Sequence, residues 1–416
     1  MESIYGVQKE SLTVLYDCCD ESHKKCARVL MARAPRIPQL SLHEFHEIFE
    51  LMLGFCVDGE KRLEATWEKV AEEARGALPK SVSLRSSLLQ QAKSFIEAFH
   101  SAKVTKLSAL LEQETWSQAE VPAHYQRLVD NFAQRQPSGD SQAGESAASQ
   151  KMLLVCGQHY RVPMSLLQLI KELKEYMDCA DQLPALCTDI LQRIIDLLSH
   201  YNQRTCQLVL GAGAMHKAGL KSITARHLVL TSQCLSVMLV QIPLIRHYLA
   251  GYLPQRHEVL LVRFDAIAKD FLEHRSQIHS KIVNIFKERI DFHCKAVLAT
   301  PQTGQEQTPR AWAKNLLKES TTLYRVLIQY LPEDQLHPIF EQIAQLVNQH
   351  LVNHLGNLEL GSIEQRKVLD ADLEHLLDGN ASNGDAQKLL GLRGLQHFKT
   401  AFGGLEDFVS TRLRTG

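Results

Sequence analysis

Residues 255–298, which contain no glycine or proline, do most to limit what this chain can fold into. Its apolar side chains recur at steps of three, four or seven residues: Leu260, Phe264, Ile267, Phe271, Ile278, Ile282 and Ile285. That spacing predicts an amphipathic helix, which at about 1.5 Å per residue would extend roughly 65 Å. A stripe this long and narrow is typical of coiled-coil-like packing in an elongated bundle.

Helical signals also fill most of the remaining chain. Ser41 and Glu44 have capping-box spacing, Thr224 can cap a helix, and Thr308-Pro309 marks another helix start. The only notable strand signal is a hairpin over residues 152–162, with Gly157-Gln158 as its turn. A parallel sheet would need strands that alternate with helices. The predicted class is therefore all-α, with elongated stacked helical bundles and one small β-hairpin near residues 152–162.

Composition divides the chain into four predicted parts. Residues 136–151 are rich in Ser, Gly and Ala, cannot bury much apolar surface, and are predicted to form a flexible linker. An N-terminal helical bundle is predicted before the linker, over residues 1–135. A hairpin-plus-helix domain with a glycine-rich junction follows over residues 152–253, and a C-terminal helical bundle over residues 254–416.

Charge and cysteine usage exclude several classes of protein. The formal net charge of −1 provides no global field for nucleic acid, so no nucleic-acid partner is predicted. No apolar run reaches the roughly 18 to 20 residues of a membrane span, and residues 1–10 lack the apolar core of a signal peptide. The ten cysteines are scattered without metal-ligand spacing. They predict reduced thiols in a cytosolic protein.

The glycine-punctuated segment after residue 207 resembles phosphate-binding motifs but fails each of them. Gly211 and Gly213 lack the third glycine of a dinucleotide fingerprint, because His216 stands in its place. Leu220 separates Gly219 from Lys221, where a P-loop needs them adjacent. No GxSxG elbow occurs, and the two histidines of the sequence HEFH after Leu42 are one residue too close for a zinc-protease motif. The sequence therefore predicts no enzyme, no cofactor and no metal.

Two other roles are predicted for this segment. Gly211, Gly213 and Gly219 have almost no side chain and would form a structural junction at which helices approach closely. Lys217, Lys221 and Arg226 gather next to it. They are candidates for contact with a phospholipid headgroup or an acidic partner. The alternative is a helix start lined by solvated charge.

Three neighbouring motifs carry a resemblance to a known family. They are Cys206-Gln-Leu-Val-Leu-Gly-Ala-Gly-Ala214, Gly219-Leu-Lys-Ser-Ile-Thr224 and His227-Leu-Val-Leu-Thr-Ser-Gln233. Together they closely resemble the vacuolar protein sorting-associated protein 54 family, and further similar stretches extend the likeness over most of the chain. Family members look like rods of stacked helical bundles, as in exocyst-type tethers. They are much longer than this chain, which resembles their C-terminal half.

The resemblance implies a non-enzymatic subunit of the Golgi-associated retrograde protein (GARP) tethering complex, acting in transport from endosomes to the trans-Golgi network. The implied partners are the other GARP subunits, with SNAREs and small GTPases as further candidates. The implied location is cytoplasmic and peripheral on trans-Golgi network and endosome membranes. The resemblance implies that SNARE contact belongs to the family's N-terminal part, whereas this chain resembles the C-terminal half. The alternative function is a stand-alone helical adaptor or lipid-binding module at the same membranes.

Overall fold

The computed structural model describes residues 2–67, 83–134, 150–211, 213–299, 308–356, 362–379, 392 and 403–414. These residues form thirteen α-helices and one two-stranded antiparallel sheet, which confirms the predicted all-α class with a small hairpin. Nearly all of the predicted linker, residues 136–149, lies outside the described residues.

The helices differ in length from five to thirty-eight residues. In chain order they are α1 (Glu2–Arg33), α2 (Leu42–Trp67), α3 (Ser83–Glu112), α4 (Ala123–Gln134), α5 (Met164–Gln182), α6 (Cys187–Val209), α7 (Gly213–Lys217), α8 (Ala225–Ala250), α9 (Val262–Ala299), α10 (Ala311–Tyr330), α11 (Glu333–Gly356), α12 (Ile363–Asp378) and α13 (Gly403–Phe408). The sheet consists of β1 (Leu153–Val155) and β2 (Gln158–Tyr160).

Side-chain caps start several of these helices. The predicted capping box before α2 is present: the Glu44 amide donates to Ser41 Oγ at 3.3 Å, and the Ser41 amide donates to Glu44 Oε2 at 2.8 Å. These hydrogen bonds to Ser41 lower the pKa of the Glu44 carboxyl. Ser362 and Gln365 form a second capping box at the start of α12, and Thr224 caps α8 as predicted.

The hairpin forms where it was predicted, but its turn begins one residue earlier. Leu153 pairs with Tyr160, and Val155 pairs with Gln158. The turn residues are therefore Cys156 and Gly157, with φ of 47° and 81°. A two-residue hairpin turn of type I′ needs positive φ at both positions, which glycine meets without strain. The predicted Gly157-Gln158 turn was wrong, because Gly157 serves as the second turn residue.

Helix α8 lies at the centre of the molecule. It packs against α4, α5, α6, α9, α10 and strand β2. It is the one helix among the described residues long and apolar enough to span a bilayer, yet 78% of its most apolar window is buried inside the protein. Two of its buried polar side chains have partners on neighbouring elements: Ser232 Oγ lies 2.8 Å from His279 Nε2, and Gln233 Oε1 accepts from the Arg161 amide at 2.6 Å. Such burial is typical of a core helix.

The long helix predicted after residue 255 is present in a modified form. Residues Gln255–Leu261 form a 3₁₀ segment, and α9 runs on for 38 residues. At about 1.5 Å per residue α9 extends roughly 57 Å. Its predicted stripe is buried at Phe264, Phe271 and Ile278, and it packs along both α8 and α11. The helix therefore joins the central part of the molecule to its C-terminal helices.

One hydrophobic cluster contains buried residues from α1 to the C-terminal turn at Val409–Arg414. Packing crosses the predicted domain boundaries, since α3 contacts α5 and α6, and α9 contacts α8. Across the boundary between the predicted N-terminal bundle and the hairpin-plus-helix domain, the fully buried Glu172 carboxylate on α5 forms ion pairs with Lys103 at 2.7 Å and with Lys106 at 3.3 Å. Both lysines lie on α3. The predicted domain bounds stay predictions, because packing between units does not decide whether each folds alone.

A buried ion pair joins α10 to α12. Asp372 has no exposed surface and accepts hydrogen bonds from the Arg310 amide at 2.7 Å, from Arg310 Nε at 2.5 Å and from Trp312 Nε1 at 2.8 Å. All three donors lie at the start of α10. Because each charge would be costly to bury alone, this network fixes where α12 lies against α10.

We predict that acid destabilises the fold through two histidines of α9. Burial lowers the pKa of His274 and of His279 to about 4, whereas an unfolded histidine titrates near 6.5. The unfolded chain therefore binds protons between about pH 6.5 and pH 4 that the folded chain does not, so the free energy of unfolding falls as the pH falls. His274 alone should lower it by roughly 2 kcal/mol between pH 7 and pH 5.

Thermal unfolding followed by circular dichroism at pH 7 and pH 5 measures this loss. His274→Gln should flatten the dependence on pH, whereas His337→Gln, at an exposed position of α11, should not. An equal dependence in both variants would contradict the prediction.

Candidate functional site

The predicted glycine junction lies directly after α6, which continues to Val209. The Gly211 amide donates to the Cys206 carbonyl at 3.2 Å, and a Cβ added at Gly211 would lie 2.6 Å from the Gln207 carbonyl oxygen. A Cβ at Gly213 would lie 2.9 Å from the same oxygen. The close approach is thus to the last turn of α6 itself. These distances explain why a side chain at either glycine would crowd the end of α6, whereas the predicted close approach of two helices at this junction stays a prediction.

Gly219 meets a different requirement. Its φ is +67°, and a Cβ there would meet nothing within 4 Å. It therefore provides a left-handed backbone conformation between α7 and α8 rather than a close approach.

The three cations predicted to act together have different partners. Lys217 forms an ion pair with Glu112 at the end of α3, beside Arg204, and the hydrogen bonds from Lys217 and Arg204 lower the Glu112 pKa. Arg226 instead donates from Nε to the Tyr330 hydroxyl on α10 at 2.8 Å. Lys221 is exposed. Only Lys221 and the remaining donors of Arg226 are thus placed to meet a headgroup or partner without breaking an existing ion pair.

Arg226 also lines a groove of about 650 Å³ between the start of α8 and the helices α9 and α10. Two further cations, Arg289 and Lys318, line the groove beside apolar side chains that include Phe286 and Val326. We name this surface the basic groove, defined by Thr224, Ala225, Arg226, Ile285, Phe286, Arg289, Asn315, Lys318, Glu319, Thr322, Leu323 and Val326.

The charge of the basic groove is net positive. Its one carboxylate, Glu319, accepts a hydrogen bond from His293 Nε2 at 3.2 Å. An apolar floor with cationic edges can take an anionic group that carries an apolar part. Sequence reasoning singled out Arg226 but missed Arg289 and Lys318, because nothing in the sequence shows that they share a surface with it.

Burial disfavours nucleophilic chemistry at three of the cysteines. All ten are free thiols. Burial raises the pKa of Cys179 and of Cys294 to about 12, and that of Cys187 to about 11. A thiol attacks as its thiolate. These three therefore stay protonated and pack as small apolar side chains.

Comparison with known proteins gives consistent matches along the chain. A sequence family described as "Vps54-like protein" matches residues 157–289, from the hairpin turn to α9. Human vacuolar protein sorting-associated protein 54 is 34% identical over 389 residues, which cover 92% of this chain. The mouse protein of that name is 33% identical over 92% of this chain, and the Drosophila melanogaster protein is 30% identical over 84%. No solved structure matches the chain.

The fold is all-α with one small hairpin, and the matches relate the chain to vacuolar protein sorting proteins. The chain belongs to the Vps54-like family, as its resemblance predicted. It spans little more than a third of the relatives' length, covering 37% of the human and mouse proteins and 34% of the Drosophila protein.

We predict that Gly213→Val destabilises the chain. The new side chain must displace the Gln207 carbonyl at the end of α6, and overpacking of this kind costs about 1–3 kcal/mol. Gly54→Val is the matched control, because a Cβ at Gly54 in the exposed part of α2 meets nothing within 4 Å. Thermal unfolding of both variants measures the difference. Intact stability in Gly213→Val together with lost membrane or partner recruitment would show that the glycines form a site instead.

Proposed function

We propose that this chain is a non-enzymatic subunit of a GARP-like multisubunit vesicle-tethering complex, acting in retrograde transport from endosomes to the trans-Golgi network. The observation that carries the proposal is the 34% identity with human vacuolar protein sorting-associated protein 54 over 92% of the chain. The failure of every catalytic motif in the sequence supports the non-enzymatic part. The proposed location is cytoplasmic and peripheral on trans-Golgi network and endosome membranes.

The fold suits a protein that works through its surfaces. Helix α9 extends roughly 57 Å and is packed along its length by other helices, so sites at its two ends are held apart at a fixed distance. Partner helices commonly recognise such a protein by burying apolar side chains against an exposed face. Leu272 and Phe292 of α9 are 50% and 63% exposed and are available for such contacts. The proposed partners are other GARP-type subunits, with SNAREs and small GTPases as further candidates.

Affinity purification of the tagged chain from cells tests the proposal. We expect the other tether subunits to be recovered with it. The control is Leu235→Asp, which places a charge at a fully buried position of α8 and should unfold the chain. Any subunits recovered with this variant are bound to unfolded protein and not to the native surface. Recovery of the chain without the other subunits would contradict the proposal. Nucleotide hydrolysis above background that is lost on changing Gly211 and Gly213 would contradict its non-enzymatic part.

The basic groove favours a second candidate function, a stand-alone adaptor or lipid-binding module at Golgi and endosome membranes. Arg226, Arg289 and Lys318 line one surface beside apolar side chains. That combination suits a phospholipid, whose headgroup is anionic and whose acyl chains are apolar.

Flotation with vesicles that contain anionic phosphoinositides separates the two functions. If the chain is a lipid-binding module, it should float alone, and Arg226→Glu, Arg289→Glu and Lys318→Glu together should weaken binding at least about 100-fold, since each cation near an anionic surface contributes about 1 kcal/mol. Lys281→Glu with Lys295→Glu is the control on exposed positions of α9 outside the groove. A chain that does not float, or that floats equally well in both variants, excludes the groove as a lipid site.

A further inference from the structure

Three side chains with metal-ligand chemistry meet between α9 and α11. Asp291 lies near the end of α9, and His350 and His354 lie near the end of α11. One carboxylate oxygen and one ring nitrogen from each histidine all lie within 4.8 Å of one another. The two histidines are four residues apart, so they project from the same face of α11. We name this group the Asp-His-His cluster.

An ordinary hydrogen bond explains only part of this arrangement. Asp291 Oδ1 lies 2.7 Å from His350 Nδ1, which is a hydrogen-bond distance. His354 Nε2 lies 3.8 Å from the same oxygen, beyond a hydrogen bond but directed at the same point. The hydrogen bond with His350 therefore needs no second histidine, whereas a metal ion would use all three donors.

We propose that the Asp-His-His cluster binds one divalent transition-metal ion, with Zn²⁺ as the fitting ion, and that the ion ties α9 to α11. Zinc lies about 2.0–2.2 Å from nitrogen and oxygen ligands, so tetrahedral donors are about 3.4 Å apart. The distances of 2.7 Å and 3.8 Å from Asp291 Oδ1 lie on either side of that value. Small side-chain rotations bring them to it, and the ion replaces the proton between Asp291 and His350.

The chemistry of the donors selects the class of ion. Two imidazole nitrogens and one carboxylate oxygen suit zinc and its neighbours, whereas Ca²⁺ and Mg²⁺ prefer sets of oxygen ligands. Three protein ligands leave a fourth position for water. The side chains are partly open to solvent, with exposed fractions of 32% for Asp291, 20% for His350 and 30% for His354, so an ion can enter without the bundle opening.

The location also favours a cation. Helix α11 ends at Gly356, so His354 lies in its last turn, close to the carbonyl end. The macrodipole makes this end partly negative, which stabilises nearby positive charge.

Titration of the metal-free chain with Zn²⁺ in a calorimeter tests the proposal. We expect one tight equivalent per chain. His350→Ala, His354→Ala and Asp291→Asn should each weaken this binding at least 10-fold. His337→Ala, at an exposed position of the same helix, should leave it unchanged. Bound zinc should also raise the unfolding temperature of the unaltered chain, because the ion binds only the folded state, and should not raise that of the three cluster variants.

Substitution with Co²⁺ identifies the ligands independently. Tetrahedral Co²⁺ held by nitrogen and oxygen absorbs visible light without the near-ultraviolet sulfur-to-metal charge-transfer band that thiolates produce. Such a band would place the ion on some of the ten cysteines and overturn the proposal. Binding that survives all three cluster variants would overturn it as well, and so would the absence of stoichiometric binding. Asp291→Asn keeps the shape of the side chain, so it tests the site even if a histidine variant fails to fold, and far-ultraviolet circular dichroism verifies each fold.

Discussion

The burial of most of α8 is the constraint on which the rest of the structure depends. This apolar helix of 26 residues is covered over most of its surface by α4, α5, α6, α9, α10, strand β2 and the 3₁₀ segment Gln255–Leu261. Its polar side chains also need partners inside the protein. Ser232 forms a hydrogen bond with His279 of α9, and Gln233 accepts one from the backbone amide of Arg161 after the hairpin. Ser236 accepts a hydrogen bond from Arg275. These hydrogen bonds fix the register between α8 and its neighbours, which apolar contacts alone would leave free to slide.

Helix α9 is long enough to pack against α8 and also against the C-terminal helices, so it fixes their position relative to α8. It packs against α6, α8 and the 3₁₀ segment Gln255–Leu261 before it in the chain, and against α10 and α11 after it. Since α9 is a continuous helix, the contact of His274 with Asn202 of α6 and the contact of Asp291 with His350 of α11 belong to one rigid element. The buried Asp372 network then holds α12 against the start of α10. Contacts between successive helices therefore position most of the described residues, and the two-stranded sheet packs against α8.

Features that depend on local spacing could be predicted from the sequence, and encounters between distant residues could not. The stripe of α9, the Ser41–Glu44 capping box and the cap at Thr224 follow from residues within a turn or two of one another. The hairpin turn was misplaced by one residue, because either register puts Gly157 in the turn and only the pairing of Val155 with Gln158 decides. The spacing of His350 and His354 is visible in the sequence, but their third partner, Asp291, lies on another helix. The basic groove was missed for the same reason.

The placement of α8 also bears on how such a chain would meet a membrane. Its one helix with the length and apolarity of a span, among the described residues, is covered by other helices, and exposing it would dissolve the core that positions everything else. Contact with a bilayer would then have to use surface charge. The free energy available from surface cations is small for each residue and additive over a patch. The basic groove concentrates three cations beside apolar side chains, whereas Lys217 is already engaged with Glu112. Under the proposed tethering function, we expect the basic groove to contribute to a peripheral membrane attachment that other subunits share.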